Sequence, residues 1–369
     1  LTGATGFIGA FLLDELLRQT HADIYCLIRN CKTSAKAAQR ILQNLRHYGL
    51  NDFIKDDVPD PRIIPVRGDL SKPLLGLSES EFDILAQEIE IIYHLGAEVN
   101  LLYPYMAIQK ANVQGTREIL RLAGHLRIKP VHYTSTMGIF ESSAYVGHPP
   151  IPENIILGSD DLIYGGYAQS KWVAEQLLHQ AYENGIPTVI YRPGAATGHS
   201  LTGISDTDHI LIVLLRYFLR HQSVPDLDMP MDMTPVDYIA RAIVHLSQKA
   251  GSWGKVFHLV NPEPLSYEKL AHSLDELGYR VRLTDYPQWL SELRKVGIES
   301  PDNLFGAILP ILTGNMLKTD LTYLEMSSIG MSFDCRNTFQ GLAGSNIHCP
   351  LPDKKLLQTY LTYLQSSRQ

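Results

Sequence analysis

The chain has 369 residues, of which 45% are hydrophobic and 19% charged, so it can bury one large or two ordinary domains and is not intrinsically disordered. Its net charge of −7 argues against a nucleic-acid partner, because phosphate backbones are bound by basic surfaces. No apolar run reaches the roughly 18 residues that a membrane-spanning helix needs, so we expect no membrane partner.

The cysteines indicate a reducing compartment. Their positions contain no Cys-x-x-Cys spacing, which is typical of free thiols rather than of a disulfide framework or a zinc site. We therefore expect a cytoplasmic protein without a metal centre. The four residues are Cys26, Cys31, Cys335 and Cys349.

The first 200 residues alternate apolar runs with amphipathic helical patterns. The runs cover 23–28, 62–66, 89–93, 130–134 and 188–191. They are solid rather than alternating, as expected of strands buried on both faces of a parallel sheet. The pattern predicts an α/β fold of the Rossmann type, a doubly wound parallel sheet with helices on both faces.

Beyond residue 200 the pattern changes to polar loops, a helix over 237–247, a strand over 256–260 and then helices separated by Pro and Gly. We predict a Rossmann domain over 1–199 and 232–262, and a smaller, mainly helical substrate lobe over 200–231 and 263–369. The chain opens at Leu1, where a first strand should already be ending, so we expect that strand to be truncated and the chain to be part of a longer protein.

A glycine-rich loop precedes the first predicted helix. Gly3, Gly6 and Gly9 form G-x-x-G-x-x-G, in which the first allows a tight turn, the second lets a pyrophosphate approach and the third lets the helix pack closely. The backbone N–H groups between them, at Thr5, Phe7 and Ile8, would face the anion. An ordinary strand–turn–helix junction is the alternative.

The end of the second strand discriminates between nicotinamide cofactors. Enzymes that use NAD place a carboxylate there for the ribose 2′-hydroxyl, whereas this strand ends in Arg29. A guanidinium suits a 2′-phosphate and predicts NADP(H). Arg40, one helix later, is a second candidate for the same phosphate, with a solvated helix charge as its alternative.

One tyrosine has a partner typical of carbonyl reduction. Of 19 tyrosines, only Tyr167 is followed by a lysine four residues later, Lys171, on one face of a predicted helix. A neighbouring ammonium is expected to lower the tyrosine's pKa from about 10 toward the working range. Thr136, at a hydroxyl-rich strand end about 30 residues earlier, would be a second donor to the oxyanion, with Ser135 beside it as the alternative.

These residues resemble the extended short-chain dehydrogenase/reductase superfamily. More narrowly they are similar to the terminal thioester reductase (R) domains of nonribosomal peptide synthetases, polyketide synthases and carboxylic acid reductases. The likeness lies in LTGATGFIG at 1–9, YCLIR at 25–29, GDL at 68–70, IYHLGAEVN at 92–100, ANVQGT at 111–116, GYAQSKWVAE at 166–175 and YRPG at 191–194, and it extends to GLAG at 341–344 and PLPDK at 350–354. The narrower resemblance rests on Trp172, Arg29 and the C-terminal lobe.

The resemblance implies further cofactor contacts. Asp69 and Leu70 would flank the adenine, and Asn112 would hydrogen-bond behind the catalytic lysine. The superfamily places its catalytic hydroxyl third in the strand-end run, hence Thr136. The central groove would be lined by Leu95, Gly96 and Ala97, and the nicotinamide by Pro193, Gly194 and Ala195.

The resemblance also implies an activity and a partner. An upstream carrier protein of a multidomain synthetase would present an acyl or peptidyl thioester on phosphopantetheine, for NADPH-dependent release as an aldehyde or, after a second reduction, an alcohol. Other readings stay open: a free-standing acyl-CoA or aldehyde reductase, a nucleotide-sugar epimerase or dehydratase, and a non-catalytic NADP sensor. The acyl group, the number of reductions and the oligomeric state stay open too.

Overall fold

A parallel sheet forms the centre of the molecule in this computed structural model. The described residues are 1–142, 145, 150–158, 163–228, 230–299, 309–310, 312–314, 322, 324–325 and 331–366. The strands are β1 Ile24–Ile28, β2 Ile54–Lys55, β3 Val58–Pro59, β4 Ile63–Arg67, β5 Ile92–His94, β6 Val131–Thr134, β7 Thr188–Pro193, β8 Ala196–Thr197, β9 Ser223–Asp226, β10 Pro230–Met231, β11 Thr234–Pro235, β12 Val256–Leu259, β13 Leu265–Ser266 and β14 Arg282–Asp285.

Helices alternate with these strands. They are α1 Phe7–Gln19, α2 Ser34–His47, α3 Glu79–Glu88, α4 Tyr105–Gln109, α5 Gly115–Gly124, α6 Gly166–Glu183, α7 Ile210–His221, α8 Val236–Ser247, α9 Tyr267–Glu276, α10 Tyr286–Glu299, α11 Arg336–Leu342 and α12 Lys354–Ser366. Short 3-10 turns occur at Pro73–Gly76, Met137–Phe140 and Ala250–Ser252, and a π-helical turn, Lys110–Gln114, joins α4 to α5. Within the described residues no helix is both long and apolar enough to cross a bilayer.

The main sheet has the strand order of a Rossmann fold. β4 pairs with β1, and β5, β6, β7 and β12 follow one another in parallel. Thr2 joins the two parts, because it bridges Leu27 of β1 and His94 of β5 in parallel. Residues 1–2 therefore occupy the central strand position, and the predicted fold class is confirmed. All residues of β6, β7 and β12 are buried, which explains their solid apolar patterns.

Each face of the sheet carries its own core. One contains buried residues of α1, α2 and α8, the other buried residues of α3, α5 and α6. Helix starts follow local chemistry, since Ser78 and Glu81 form a reciprocal capping box at α3 and Thr33 caps α2.

A separate apolar cluster unites the segments that we predicted as the second lobe. It combines side chains of α7, α9, α10 and α12 around the fully buried Trp289. Before α12 the chain returns to the first domain, because Leu342 and Ile347 lie in the core of α1, α2 and α8. Parts of the predicted 263–369 segment, such as 300–308 and 315–321, lie outside the described residues.

Candidate active site

The glycine-rich loop forms a close junction between the central strand position and α1. Gly3 adopts φ +81°, and the Gly6 N–H donates to the Gly3 carbonyl oxygen at 2.9 Å. A Cβ atom on Gly9 would lie 1.9 Å from that same oxygen, so only glycine fits there. Gly6 is the N-cap of α1 and offers no side-chain cap, which leaves the N–H groups of the first turn for an anion.

A hydrogen-bonded chain fixes the 95–97 segment, which we predicted to line the cofactor groove. The Thr2 hydroxyl accepts from the Gly96 N–H and contacts His94 Nδ1, each at 2.8 Å, and His94 Nε2 lies 3.1 Å from the Thr116 hydroxyl. Burial lowers the pKa of His94 to about 3, so the ring is neutral and structural. A Cβ atom on Gly96 would lie 2.7 Å from Leu70, which packs against this groove.

Arg29 directly follows β1, and the structure brings Arg40 to it. The Arg40 guanidinium donates to the Arg29 backbone carbonyl, so it supports the strand end rather than lying on a distant helix face. Arg29 Nη1 itself forms an ion pair at 2.8 Å with Glu98, a residue that sequence reasoning did not select. Asp69 accepts from the N–H and the hydroxyl of Ser71, which fixes the turn after β4.

Asn112 links the groove to the catalytic helix. Its side chain accepts from the Glu98 N–H at 2.7 Å and donates to the Glu98 carbonyl at 3.0 Å. The same amide donates to the Ser170 hydroxyl, which donates to the Tyr167 carbonyl at 2.7 Å. The structure therefore places Asn112 beside Ser170, the neighbour of Lys171.

The three candidate catalytic residues lie on two adjoining elements. Tyr167 and Lys171 share the first turns of α6, and Thr136 follows β6. Lys171 Nζ donates to the Thr134 carbonyl at 2.5 Å and lies 4.1 Å from the centre of the Tyr133 ring. The Thr136 hydroxyl accepts from the Gly138 N–H at 3.1 Å, which leaves its own hydrogen for an acceptor in the cleft.

The electrostatics of this pair differ from our expectation. We expected Lys171 to lower the pKa of Tyr167, but burial raises that pKa to about 12, and the Glu141 carboxylate adds to the shift. Burial also lowers the pKa of Lys171 to about 7, against the opposing effect of Glu175. The physical reason is that both groups are enclosed by protein, where desolvation disfavours each charged form. Tyr167 therefore stays protonated at neutral pH.

Ser135 differs from Thr136 in its surroundings. It is only 3% exposed, and its hydroxyl has no hydrogen-bond partner among the described residues. Thr136 is half-buried and so more accessible than Ser135. Exposure therefore favours Thr136 as the hydroxyl that a substrate would meet.

Comparison with known proteins gives a consistent result. Residues 1–243 match the NAD-binding family described as male sterility protein. The crystal structure of the terminal R domain of the myxalamid PKS-NRPS pathway is 43% identical, with a TM-score of 0.89, over 100% of this chain and 90% of that one. The chain belongs to the family of terminal reductase (R) domains. This assignment confirms the predicted superfamily and an enzyme that uses a nicotinamide cofactor.

Two curated relatives show the context of such R domains. A linear gramicidin synthase protein of Brevibacillus parabrevis is 37% identical over 100% of this chain, and aldehyde reductase lnaA of Aspergillus flavus is 35% identical over 99% of it. The chain spans only 7% of the first protein and 36% of the second. It therefore corresponds to a small part of a longer protein in each case.

A buried carboxylate that sequence reasoning missed supports the 193–195 segment, which we predicted to border the nicotinamide. Asp232 accepts from the Ala195 N–H at 2.8 Å, the Asn261 N–H at 2.9 Å and the Thr234 hydroxyl at 2.7 Å. A Cβ atom on Gly194 would lie 1.5 Å from Asp232 Oδ2, so glycine is required after Pro193. Asp232 falls in an irregular Pro/Met/Asp segment whose pattern carries no signal for this contact.

Beneath the site, a buried ion pair fixes α6 to β7. Arg192 forms two hydrogen bonds with Glu175, at 3.0 and 2.6 Å, and also donates to the carbonyl oxygens of Glu153 and Ile155. Both members of the pair are essentially inaccessible to water. Because each remaining donor is satisfied, the pair holds the catalytic helix in one position on the sheet.

Proposed function

We propose that this chain catalyses the NADPH-dependent reductive release of a carrier-bound acyl or peptidyl thioester as an aldehyde. The observation that carries the proposal is the contact of Lys171 with the Thr134 carbonyl, at 2.5 Å. It places the helix of Tyr167 against the strand end that bears Thr136. Thr136 and Tyr167 therefore lie on adjoining elements, and we propose that their hydroxyl groups face the same substrate carbonyl.

In this proposal, Thr136 and Tyr167 together stabilise the oxyanion that forms during reduction. A bound reduced nicotinamide supplies hydride to the thioester carbon. Thr136 and Tyr167 donate hydrogen bonds to the carbonyl oxygen as it gains negative charge. Tyr167 can do so at neutral pH because its raised pKa, about 12, keeps it protonated. Tyr167 gives this oxygen its proton and regains one from solvent. The resulting hemithioacetal collapses to aldehyde and thiol, with transfer of its hydroxyl proton to the departing sulfur.

Lys171 has a positioning and electrostatic role in this proposal. Its ammonium is held between the Thr134 carbonyl and the Tyr133 ring, and we assign its remaining donors to the nicotinamide ribose. The charge is retained only below a pH of about 7, the lowered pKa of this buried amine. Lys171 is therefore the titrating group of the site near neutrality.

The cofactor preference that we propose is NADP(H) over NAD(H). The glycine loop and the uncapped start of α1 fit a pyrophosphate, and the Arg29 guanidinium at the end of β1 fits a 2′-phosphate. Arg40 supports this guanidinium through the Arg29 backbone. Asp69, Leu70, the 95–97 segment and the 193–195 segment are the proposed remaining contacts.

The partner that we propose is an upstream carrier protein with a phosphopantetheine arm. The relationship to a linear gramicidin synthase protein supports a place within a multidomain synthetase. The apolar cluster of α7, α9, α10 and α12 supports segments 200–231 and most of 263–366 as the lobe that faces this carrier. Segment 331–347 joins the Rossmann domain in this division.

The activity is tested by NADPH oxidation with an acyl-pantetheine thioester, with product analysis for aldehyde and alcohol. We expect aldehyde together with one equivalent of free thiol, and much slower turnover with NADH. The same assay with an added aldehyde measures the second reduction, which the relationship to an aldehyde reductase favours. Turnover of a nucleotide sugar with no reaction of thioester or aldehyde would overturn the proposal.

The cofactor preference is tested with Arg29→Glu. We expect NADPH affinity to fall at least about tenfold, because a charge-assisted hydrogen bond is lost and repulsion replaces it. NADH affinity should change by less than about twofold. Equal losses for both cofactors would remove the argument for a 2′-phosphate site.

A further inference from the structure

The ion pair between Arg29 and Glu98 lies across the cofactor groove. Arg29 follows β1, and Glu98 follows the neighbouring strand β5. Thr2, which leads into the glycine loop, pairs with both strands and lies between them. The two side chains therefore come from strands on opposite sides of Thr2, and they meet at 2.8 Å.

Glu98 is presented rigidly, although its carboxylate is accessible. Asn112 holds its backbone through two hydrogen bonds, at 2.7 and 3.0 Å, and is itself tied to Ser170 of the catalytic helix. The side chain of Glu98 is 33% exposed and that of Arg29 is 57% exposed. A carboxylate on a fixed backbone thus faces a guanidinium that solutes can reach.

We propose that Glu98 is a specificity-determining residue, which competes with the 2′-phosphate of the cofactor for Arg29. The inference rests on the proposed preference for NADP(H). A 2′-phosphate carries more negative charge than a carboxylate and accepts from the same guanidinium donors, so it displaces Glu98 from Arg29. A cofactor without this phosphate leaves the ion pair in place.

The exchange limits how tightly the 2′-phosphate is held. Exposed ion pairs are weak and screened by salt, so the pair can open at little cost, and its loss leaves the fold intact. Removal of the carboxylate charge should therefore appear as tighter phosphate binding. We expect about a three- to fivefold gain at low salt.

The test is calorimetric titration with two probes that differ only in the 2′-phosphate, adenosine 2′,5′-bisphosphate and 5′-AMP. We expect Glu98→Gln to bind the bisphosphate about three- to fivefold more tightly and 5′-AMP within about twofold of the unchanged protein. Glu90→Gln is the matched control, because it removes the same charge from an exposed residue before β5. It should leave both affinities unchanged.

Two further variants test whether Glu98 acts on bisphosphate affinity through Arg29. In an Arg29→Gln background, Glu98→Gln should change the bisphosphate affinity by less than about twofold, because the contested guanidinium is gone. A persistent gain there, an equal gain for both probes, or an unchanged or weaker affinity in the single variant would each overturn the competition.

The two proposals can fail separately. If the unchanged protein binds 5′-AMP as tightly as the bisphosphate, the preference for NADP(H) fails. The Glu98 inference then still stands if Glu98→Gln creates a preference for the bisphosphate. Conversely, a strong preference in the unchanged protein with no response to Glu98→Gln overturns the Glu98 inference alone.

Discussion

The two ends of the proposed cofactor groove use a cation in opposite surroundings. At the adenosine end, the Arg29 side chain is 57% exposed and forms an ion pair at the surface. At the catalytic end, Lys171 is 2% exposed and is held by a carbonyl and an aromatic ring. The guanidinium is in contact with solvent, whereas burial lowers the pKa of the lysine to about 7.

Because of this difference, salt concentration and pH should act on different ends of the groove. Salt screens an exposed pair and hardly affects a buried one. Proton concentration acts on a buried amine with a pKa near neutrality but leaves a guanidinium charged. We therefore expect cofactor affinity to respond to salt, and the chemical step to respond to pH.

The largest expected effect belongs to the catalytic end. Tyr167→Phe removes the proton donor but little volume, so kcat should fall by about 10²- to 10⁴-fold while the dissociation constant of NADPH stays nearly unchanged. Tyr182→Phe, near the other end of the same helix, is the matched control and should keep full activity. Unimpaired turnover by Tyr167→Phe would refute this assignment.

A smaller effect is expected from the loop at the cofactor end. Gly9→Ala places a methyl group 1.9 Å from the Gly3 carbonyl oxygen, so α1 must shift away from the loop. We expect a loss of about 1–3 kcal/mol in the free energy of unfolding, measured in denaturant, together with weaker NADPH binding. Gly251→Ala meets no atom within 4 Å and should be neutral. A Gly9→Ala protein with unchanged stability and NADPH affinity contradicts the close packing.

The smallest effect is the response to pH and salt. At saturating NADPH, kcat should fall several-fold as pH rises through about 7, since Lys171 loses its ammonium there while Tyr167, with a pKa of about 12, stays protonated. The affinity for NADPH should weaken from 50 to 500 mM salt (roughly threefold or more). A kcat that is constant or rises between pH 6 and 9 would contradict the role of the lysine charge.

The sequence by itself determined those features that depend only on residues close together in the chain. Solid apolar runs predicted the parallel strands, although β5 begins three residues later than the predicted run at 89–93. Glycine spacing marked the loop, because only a residue without Cβ fits at Gly9. The four-residue spacing of Tyr167 and Lys171 placed both on one helix, since helical geometry alone decides that.

Tertiary structure decided what depends on contacts between distant segments. Glu98 meets Arg29 across 69 positions, and Asp232 meets Ala195 across 37, and no pattern along the chain marks either pair. The pKa of Tyr167 was also beyond sequence reasoning, because the spacing to Lys171 indicates a favourable charge but gives no measure of burial. Desolvation depends on the packing around α6, and that packing exists only once the sheet and both of its cores are assembled.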